Sequence, residues 1–254
     1  MLPAILFPVL VGLLASPPLA AADDLDSRPW SEVRSENFRI KGILSEERTT
    51  ELLRHLEIMR SSLGGANAAG SGTDVRTVIL AVDNHDDYVS IGAPAYSAGF
   101  FFSDLRENAI LIEDSEQASG IQVILHEYAH FLNKQSGRIR YPRWYEEGNA
   151  EYLSHSRLQA QAFEFGLAPE KHLAALSFSA WLPLRQIIEV TDVSALDETE
   201  GALFYGQAWL LVHYLRSLPG SDGAIPGMLQ EYARLVSTGT LAAPAFEQSF
   251  GLQI

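Results

Sequence analysis

Residues 121–133 read IQVILHEYAHFLN, and their apolar members recur at the three- and four-residue intervals of a buried helical face. Gly137 follows at a position that suits the end of such a helix. Within the helix, His126 and His130 stand four positions apart, which places their imidazoles about 40° apart around a helix of 3.6 residues per turn. Both rings can therefore face one metal ion.

Glu127 follows His126 and completes an H-E-x-x-H pattern, which is typical of helices that bind zinc. Its side chain is turned by about 100° from His126, so it can reach a metal-bound water without becoming a ligand. A catalytic zinc usually takes three protein ligands and leaves a fourth position for water or substrate, and two His with one Glu is an attested set. The pattern thus predicts a metal site that needs a third ligand nearby.

Residues 141–152 read YPRWYEEGNAEY and offer that ligand. Pro142 suits the first turn of a second helix. Glu147 is the predicted third ligand. Glu151 follows one helical turn later on the same side, where it can accept the other N–H of a ligating His. Glu146 points elsewhere, turned by about 100° from Glu147.

The rest of the chain predicts an α+β fold with one domain over residues 23–254. The predicted elements around the helix of 121–133 are a strand at 38–41, a helix capped by Ser45, a strand at 75–82, a hairpin of 100–103 with 109–113, and helices at about 142–155, 202–217 and 224–236. We expect a small N-terminal mixed sheet with an edge hairpin, packed on the histidine-bearing helix, over about 35–137. A mainly helical C-terminal half follows over about 138–254.

Composition excludes several classes of function. The chain has 254 residues, with 32 Asp and Glu against 18 Lys and Arg and a net charge of -14. Nucleic-acid binding rests on many Lys and Arg contacts to phosphates, so this balance argues against a nucleic-acid partner. The absence of cysteine excludes disulfides, cysteine-ligated zinc and thiol nucleophiles. Any catalytic or metal chemistry must use other side chains.

The N-terminus carries an export pattern. Residues 5–15 form an apolar run of signal-peptide length, and the small residues 20–22 follow it. This predicts a signal peptide over 1–22, cleaved after Ala22, and a periplasmic or secreted protein. No Lys or Arg precedes Arg28, so the usual positive n-region is missing. The run is too short for a transmembrane helix, which needs about 20 apolar residues, so no stable membrane insertion is expected.

The H-E-x-x-H pattern of 126–130, followed by W-Y-E-E-G-N-A-E-Y at 144–152, resembles the gluzincin zinc metallopeptidases. This is the clan of thermolysin and aminopeptidase N, and the similarity is greatest to the peptidase-MA-like bacterial family. The resemblance implies a peptidase acting on peptide or protein substrates, with one zinc ion and these roles: His126, His130 and Glu147 as ligands, Glu127 as general base, and Glu151 orienting a ligand His. The metzincin alternative fails because positions 133 and 136 are Asn and Ser instead of His.

Residues 205–215 read YGQAWLLVHYL and are similar to a helix that, in the aminopeptidase branch, begins with a tyrosine donating to the oxyanion. By that resemblance Tyr205, near the start of the predicted helix, stabilises the transition state; His213 is the alternative, since thermolysin-like relatives use a His. The hairpin of 98–103 and 109–113 resembles the family's edge hairpin, against which extended peptides add as a further strand. The G-x-M-E-N motif of aminopeptidase N is absent there, which favours an endopeptidase over an aminopeptidase.

A second hypothesis is a non-catalytic exported binding or scaffold module that keeps the fold, with or without the metal. The remaining features receive structural predictions: a core position for Trp144, Tyr145 and Tyr152, and a solvated position for Arg138, Arg140 and Arg143. No role is predicted for four further histidines, His55, His85, His155 and His172.

Overall fold

The computed structural model describes Leu25 and residues 27–63, 77–95, 97–103, 108–116, 118–135, 140–160 and 162–254. Some predictions lie outside these described residues: the export signal at 1–22, the first part of the strand at 75–76, the hairpin turn at 104–107, and positions 137 and 138. Among the helices that are described, none is long and apolar enough to span a membrane.

The N-terminal half is built on a five-stranded mixed sheet. Its strands are β1 (Ser31–Arg34), β2 (Phe38–Gly42), β3 (Thr77–Val82), β4 (Gly99–Ser103) and β5 (Asn108–Glu113), in the spatial order β1-β2-β3-β5-β4. The three central strands run parallel, whereas β1 and β4 pair antiparallel with their neighbours. β4 therefore forms an edge of the sheet and pairs with β5, which confirms the predicted edge hairpin. β1 was not predicted.

Helices α1 (Glu46–Ser62), α2 (His85–Ser90) and α3 (Gly120–Gln135) complete this half. Ser45 caps α1 as predicted, because its side chain accepts a hydrogen bond from the backbone N–H of Arg48. Alternate residues of the central strands pack with α1 and α3 in one core, which includes Ile40, Leu52, Leu56, Ile79, Ile110, Ile124 and Tyr128. Helix α3 also contacts β4, so the histidine-bearing helix lies beside the sheet edge.

The C-terminal half is mainly helical, as predicted. Its elements are α4 (Arg143–Ser154), β6 (Arg157–Gln159), β7 (Ala162–Glu164), α5 (Glu170–Phe178), α6 (Leu184–Glu189), a 3-10 turn (Val193–Ala195), α7 (Glu198–Ser217), α8 (Ser221–Ser237) and α9 (Ala242–Phe250). A second core joins α4 with α6 to α9 around Trp144, Tyr145, Phe204 and Phe246. The core positions of Trp144 and Tyr145 are confirmed, and Tyr152 is partly buried between the two cores.

Helix α7 begins earlier than the sequence pattern predicts. Its first residue is Glu198, because Asp197 and Glu200 form a capping box in which each side chain accepts from the other residue's backbone N–H. Tyr205 consequently lies about two turns inside the helix. The prediction that Tyr205 stands near the helix start is therefore wrong.

One glycine sets the approach of α4 to α7. A Cβ on Gly148 would lie 2.3 Å from the carbonyl oxygen of Ala208 and 2.9 Å from Cγ2 of Val212. A close-packed helix backbone cannot yield to such a contact without moving as a whole. The glycine directly after Glu147 thus lets α7 lie against α4, and this packing positions the wall that carries Tyr205.

Candidate metal centre

Helices α3 and α4 pack together so that His126, His130 and Glu147 meet. The Nε2 atoms of the two histidines lie 3.1 Å apart. Oε2 of Glu147 lies 3.6 Å from Nε2 of His126 and 3.5 Å from Nε2 of His130. The three side chains are largely buried, with exposed fractions of 18% and 20% for the histidines and 8% for Glu147. The sequence-predicted ligand set is therefore one cluster in space.

The spacing of these atoms suits a small divalent ion. In tetrahedral coordination with bonds of 2.0–2.1 Å, neighbouring ligand atoms stand roughly 3.3 Å apart. The three observed separations, 3.1, 3.5 and 3.6 Å, bracket that value. Two imidazole nitrogens and one carboxylate oxygen also form a donor set that zinc accepts readily. The group of His126, His130 and Glu147 could hold a metal ion.

Glu151 contacts the first histidine from the opposite side. Its Oε1 lies 3.1 Å from Nδ1 of His126, the ring nitrogen that faces away from Glu147. A carboxylate in this position favours a proton on Nδ1, so Nε2 is the ring nitrogen that a metal would bind, in exchange for any proton it carries. The side chain of Glu151 is 12% exposed, so little water competes for the contact.

The charges of the cluster keep both carboxylates ionised. Burial alone would raise the pKa of Glu147, but hydrogen bonds with His126 and His130 outweigh burial and lower it. Burial likewise opposes ionisation of Glu151, yet hydrogen bonds with three histidines hold its pKa well below the usual range. Burial would lower the pKa of His126, but hydrogen bonds to Glu147 and Glu151 raise it well above its ordinary value.

Arg143 departs from its predicted solvated position. It is the first residue of α4, and its Nη1 lies 3.2 Å from Oε1 of Glu147 and 3.2 Å from Oε2 of Glu146. The arginine thus contacts one oxygen of Glu147 while the other oxygen faces the histidines. The prediction is corrected because a spacing of four in a helix brings these charges together. Arg140 is exposed on the cleft wall, and Arg138 lies outside the described residues.

The cluster opens into a cleft between the two halves of the chain. Its walls include residues 97–101 at the start of β4, the exposed side of α3, the first turn of α4, the start of α5, and Tyr205 of α7. Glu127 lines the cleft next to the ligand group. A Cβ on Gly99 would lie 2.6 Å from Cγ1 of Val123 and 2.8 Å from both Cγ and Oε1 of Glu127. The edge strand and Glu127 can touch because residue 99 has no side chain.

Gly99→Ala is therefore expected to displace the Glu127 side chain while leaving the metal ligands in place. Were Glu127 the general base that the sequence predicts, a displacement of about 1 Å would cost about 10²-fold in kcat. Zinc content and kcat measured on the same preparation test this. Gly201→Ala is the matched control, because nothing lies within 4 Å of its added methyl group. Equal activity of the two variants would contradict the proposed contact.

Tyr205 and His213 occupy different environments. Tyr205 lines the cleft, whereas His213 is absent from its walls and packs against the rings of Trp209 and Tyr152, at 5.2 and 5.9 Å between centroids. Burial, together with the charges of Glu147 and Glu151, raises the pKa of Tyr205, so the phenol stays protonated and can donate. The placement favours Tyr205 over His213 as a donor, and its catalytic role stays a prediction.

Two histidines without a predicted role lie at the site. Nε2 of His172 is 2.7 Å from Oε2 of Glu151, and Nδ1 of His155 is 3.2 Å from the same oxygen. His155 follows Glu151 by four positions in the chain, a helical spacing that could have indicated this contact. His172 lies 21 positions away on another element, and no local pattern links it to Glu151. His55 and His85 do not line the cleft.

Comparison with known proteins adds little to this geometry. No protein-family model matches the chain, and no curated protein matches it. Among solved structures, the chain is similar to a proposed zinc-binding metallo-peptidase from Bacteroides caccae, with 12% sequence identity and a TM-score of 0.28. The match covers 81% of this chain and 66% of that chain, so this chain spans just under two thirds of its length. Similarity at this level does not bear on the residues of the site.

Proposed function

We propose that the protein is a zinc-dependent peptidase whose ligands are His126, His130 and Glu147. The observation that carries the proposal is the cluster of two Nε2 atoms and one carboxylate oxygen, 3.1 to 3.6 Å apart, beside a cleft. Glu127 directly follows His126, is not part of this cluster and lines the same cleft. This combination of a divalent-ion site and an adjacent carboxylate is what metal-assisted hydrolysis requires.

The residues around the site supply the remaining chemistry. His126, His130 and Glu147 would hold the zinc ion, which would supply a Lewis acid for the scissile carbonyl and for a water molecule. Glu127 takes the proton of the attacking water and passes it to the leaving nitrogen. Tyr205, whose phenol lines the cleft, donates a hydrogen bond to the oxygen on which negative charge develops. Glu151 holds His126 in the tautomer that a ligand needs.

The cleft suits an extended peptide. β4 is an edge strand, and residues 97–101 at its start line the cleft. The free backbone groups of an edge strand can pair with a substrate chain, which would place a peptide bond near the metal ligands. We favour cleavage at internal peptide bonds of the substrate over removal of its N-terminal residues, because the sequence lacks the G-x-M-E-N pattern. We also propose export to the periplasm or beyond, on the pattern of residues 1–22.

Metal analysis combined with a peptide-library assay tests the proposed function. The purified full chain is expected to hold one zinc ion and to cleave library peptides, with activity lost to a chelator and restored by zinc. Mass spectrometry of the products separates internal cleavage from release of single N-terminal residues. Bound zinc without cleavage of any peptide would contradict the proposal and favour the scaffold hypothesis. Activity that survives complete zinc removal would contradict the metal mechanism.

A further inference from the structure

Glu151 stands at the centre of a network of polar contacts that extends beyond the proposed metal ligands. We call it the Glu151 network; it comprises Glu151, His126, His155 and His172. Oε1 of the carboxylate faces Nδ1 of His126 at 3.1 Å. Oε2 faces Nε2 of His172 at 2.7 Å and Nδ1 of His155 at 3.2 Å. One carboxylate thus contacts three imidazoles, and one of them belongs to the proposed ligand set.

Glu151, His155 and His172 also form a second group whose ligand atoms lie close enough together to hold a metal ion. Two details argue for hydrogen bonds instead. The separation of 2.7 Å between His172 and Glu151 is a charge-assisted hydrogen-bond length, and it is well below the roughly 3.3 Å between neighbouring ligands of a tetrahedral zinc ion. The other detail is the protonation of His155.

Nδ1 of His155 lies 3.0 Å from the backbone carbonyl oxygen of Glu151, which can only accept. This nitrogen therefore carries the proton, and a protonated nitrogen cannot ligate a metal. The side-chain amide nitrogen of Gln122 contacts the other ring nitrogen, Nε2, where an N–H donor finds the remaining lone pair. Both neighbours of His155 thus agree on one tautomer, in which Nδ1–H donates to the backbone carbonyl oxygen of Glu151.

We propose that His172 is a positioning residue of the metal centre. It fixes the Glu151 carboxylate, which in turn fixes the ring and the tautomer of His126. This inference rests on the metal site of the proposed function and does not require peptide hydrolysis. Without a hydrogen bond on Oε2, the Glu151 side chain could adopt other rotamers, in which its carboxylate lies away from Nδ1 of His126. The hydrogen bond from Nε2–H of His172 to Oε2, 2.7 Å long, holds the carboxylate in the productive orientation.

The position of His172 explains how a distant element reaches the site. His172 lies in the first turn of α5, a helix that has no buried residue. Its side chain is nevertheless only 13% exposed, because it is directed inward to Glu151. The Cβ of His172 lies against α7 at Gly206, where an added Cβ would stand 3.5 Å away. α5 is thus anchored to the site through this one polar contact and its packing on α7.

The zinc dissociation constant, measured by competition with a chelator of known affinity, tests the proposal. Loss of an outer carboxylate partner typically costs 10- to 100-fold in metal affinity, and we expect about tenfold for His172→Ala because the effect is transmitted through Glu151. His172→Gln keeps an N–H donor and should recover most of the affinity. His55→Ala, a histidine outside the cleft, should match wild type. Should His172→Ala fail to fold, His172→Phe removes the donor while filling the space.

A double-mutant cycle separates positioning from a general structural effect. If His172 acts through Glu151, its loss has no further effect once Glu151 is gone. In a Glu151→Ala background, His172→Ala should therefore change zinc affinity by less than about twofold, whereas independent effects would add. An equal loss in both backgrounds, or wild-type affinity in His172→Ala and His172→Phe, would overturn the proposal. Two zinc ions per chain, with the second lost in His172→Ala, would overturn it in favour of a second metal site. A chain that binds zinc but cleaves no peptide would defeat the proposed function and leave this inference intact.

Discussion

Glu127→Gln is expected to bind zinc as wild type does while losing about 10²- to 10⁴-fold in kcat, the range that general acid–base catalysis contributes. The change replaces one carboxylate oxygen by an amide group of nearly the same shape, so the packing against Gly99 is retained. The amide cannot take a proton from water or deliver one to a leaving nitrogen. Zinc should stay bound because the proposed ligands are His126, His130 and Glu147, and Glu127 is not among them.

The control for Glu127→Gln is Glu189→Gln, the same chemical change on an exposed residue of α6 that also lines the cleft. Zinc content by elemental analysis and kcat on a cleaved library peptide are measured for both variants. Glu189→Gln should keep wild-type turnover. A metal-loaded Glu127→Gln protein with wild-type turnover would remove Glu127 from the mechanism. Loss of zinc from this variant would instead assign Glu127 to the coordination sphere.

The sequence allowed the centre of the site to be predicted because its spacings are local. His126 and His130 face one direction through a spacing of four, and Glu147 and Glu151 do so on the next helix. Their helices are the strongly periodic ones, with buried faces that pack on the sheet and on α7. The sequence did not predict how these helices pack on their neighbours. Gly148 permits the close approach of α4 to α7, and this packing depends on atoms of Ala208 that no sequence pattern reveals.

The contacts that escaped prediction join residues far apart in the chain or use weak local signals. His172 reaches Glu151 across 21 positions, from a helix without a buried apolar face. Gly99 touches Glu127 because of how β4 lies against α3, which follows from the sheet order. Two errors did have local signals. The spacing of Arg143 and Glu147 indicates an ion pair, and Asp197 with Glu200 indicates a helix start.

Zinc is expected to stabilise the wild-type chain strongly and to leave His130→Ala unaffected. A ligand that binds only the folded state adds about 2.7 kcal/mol to the unfolding free energy at a hundredfold excess over its dissociation constant, and about 4.1 kcal/mol at a thousandfold excess. For a domain of about this size, each kcal/mol raises Tm by roughly 2–4 °C. Wild type should therefore gain about 5–10 °C at the hundredfold excess, and a chelator should reverse the gain.

His130→Ala removes one of three ligands, so Glu147 and His126 alone should not hold zinc tightly enough to shift Tm. His55→Ala is the matched control. It removes a half-buried histidine outside the cleft, whose Nδ1 lies 2.8 Å from the carbonyl oxygen of Glu51 and whose ring contacts Phe163, and it should keep the full zinc-induced rise. Thermal unfolding with and without zinc measures all three proteins. An undiminished rise in His130→Ala would mean that zinc stabilises the fold from another position. The group of Glu151, His155 and His172 is then the first to examine, because it is the other cluster of potential ligands among the described residues.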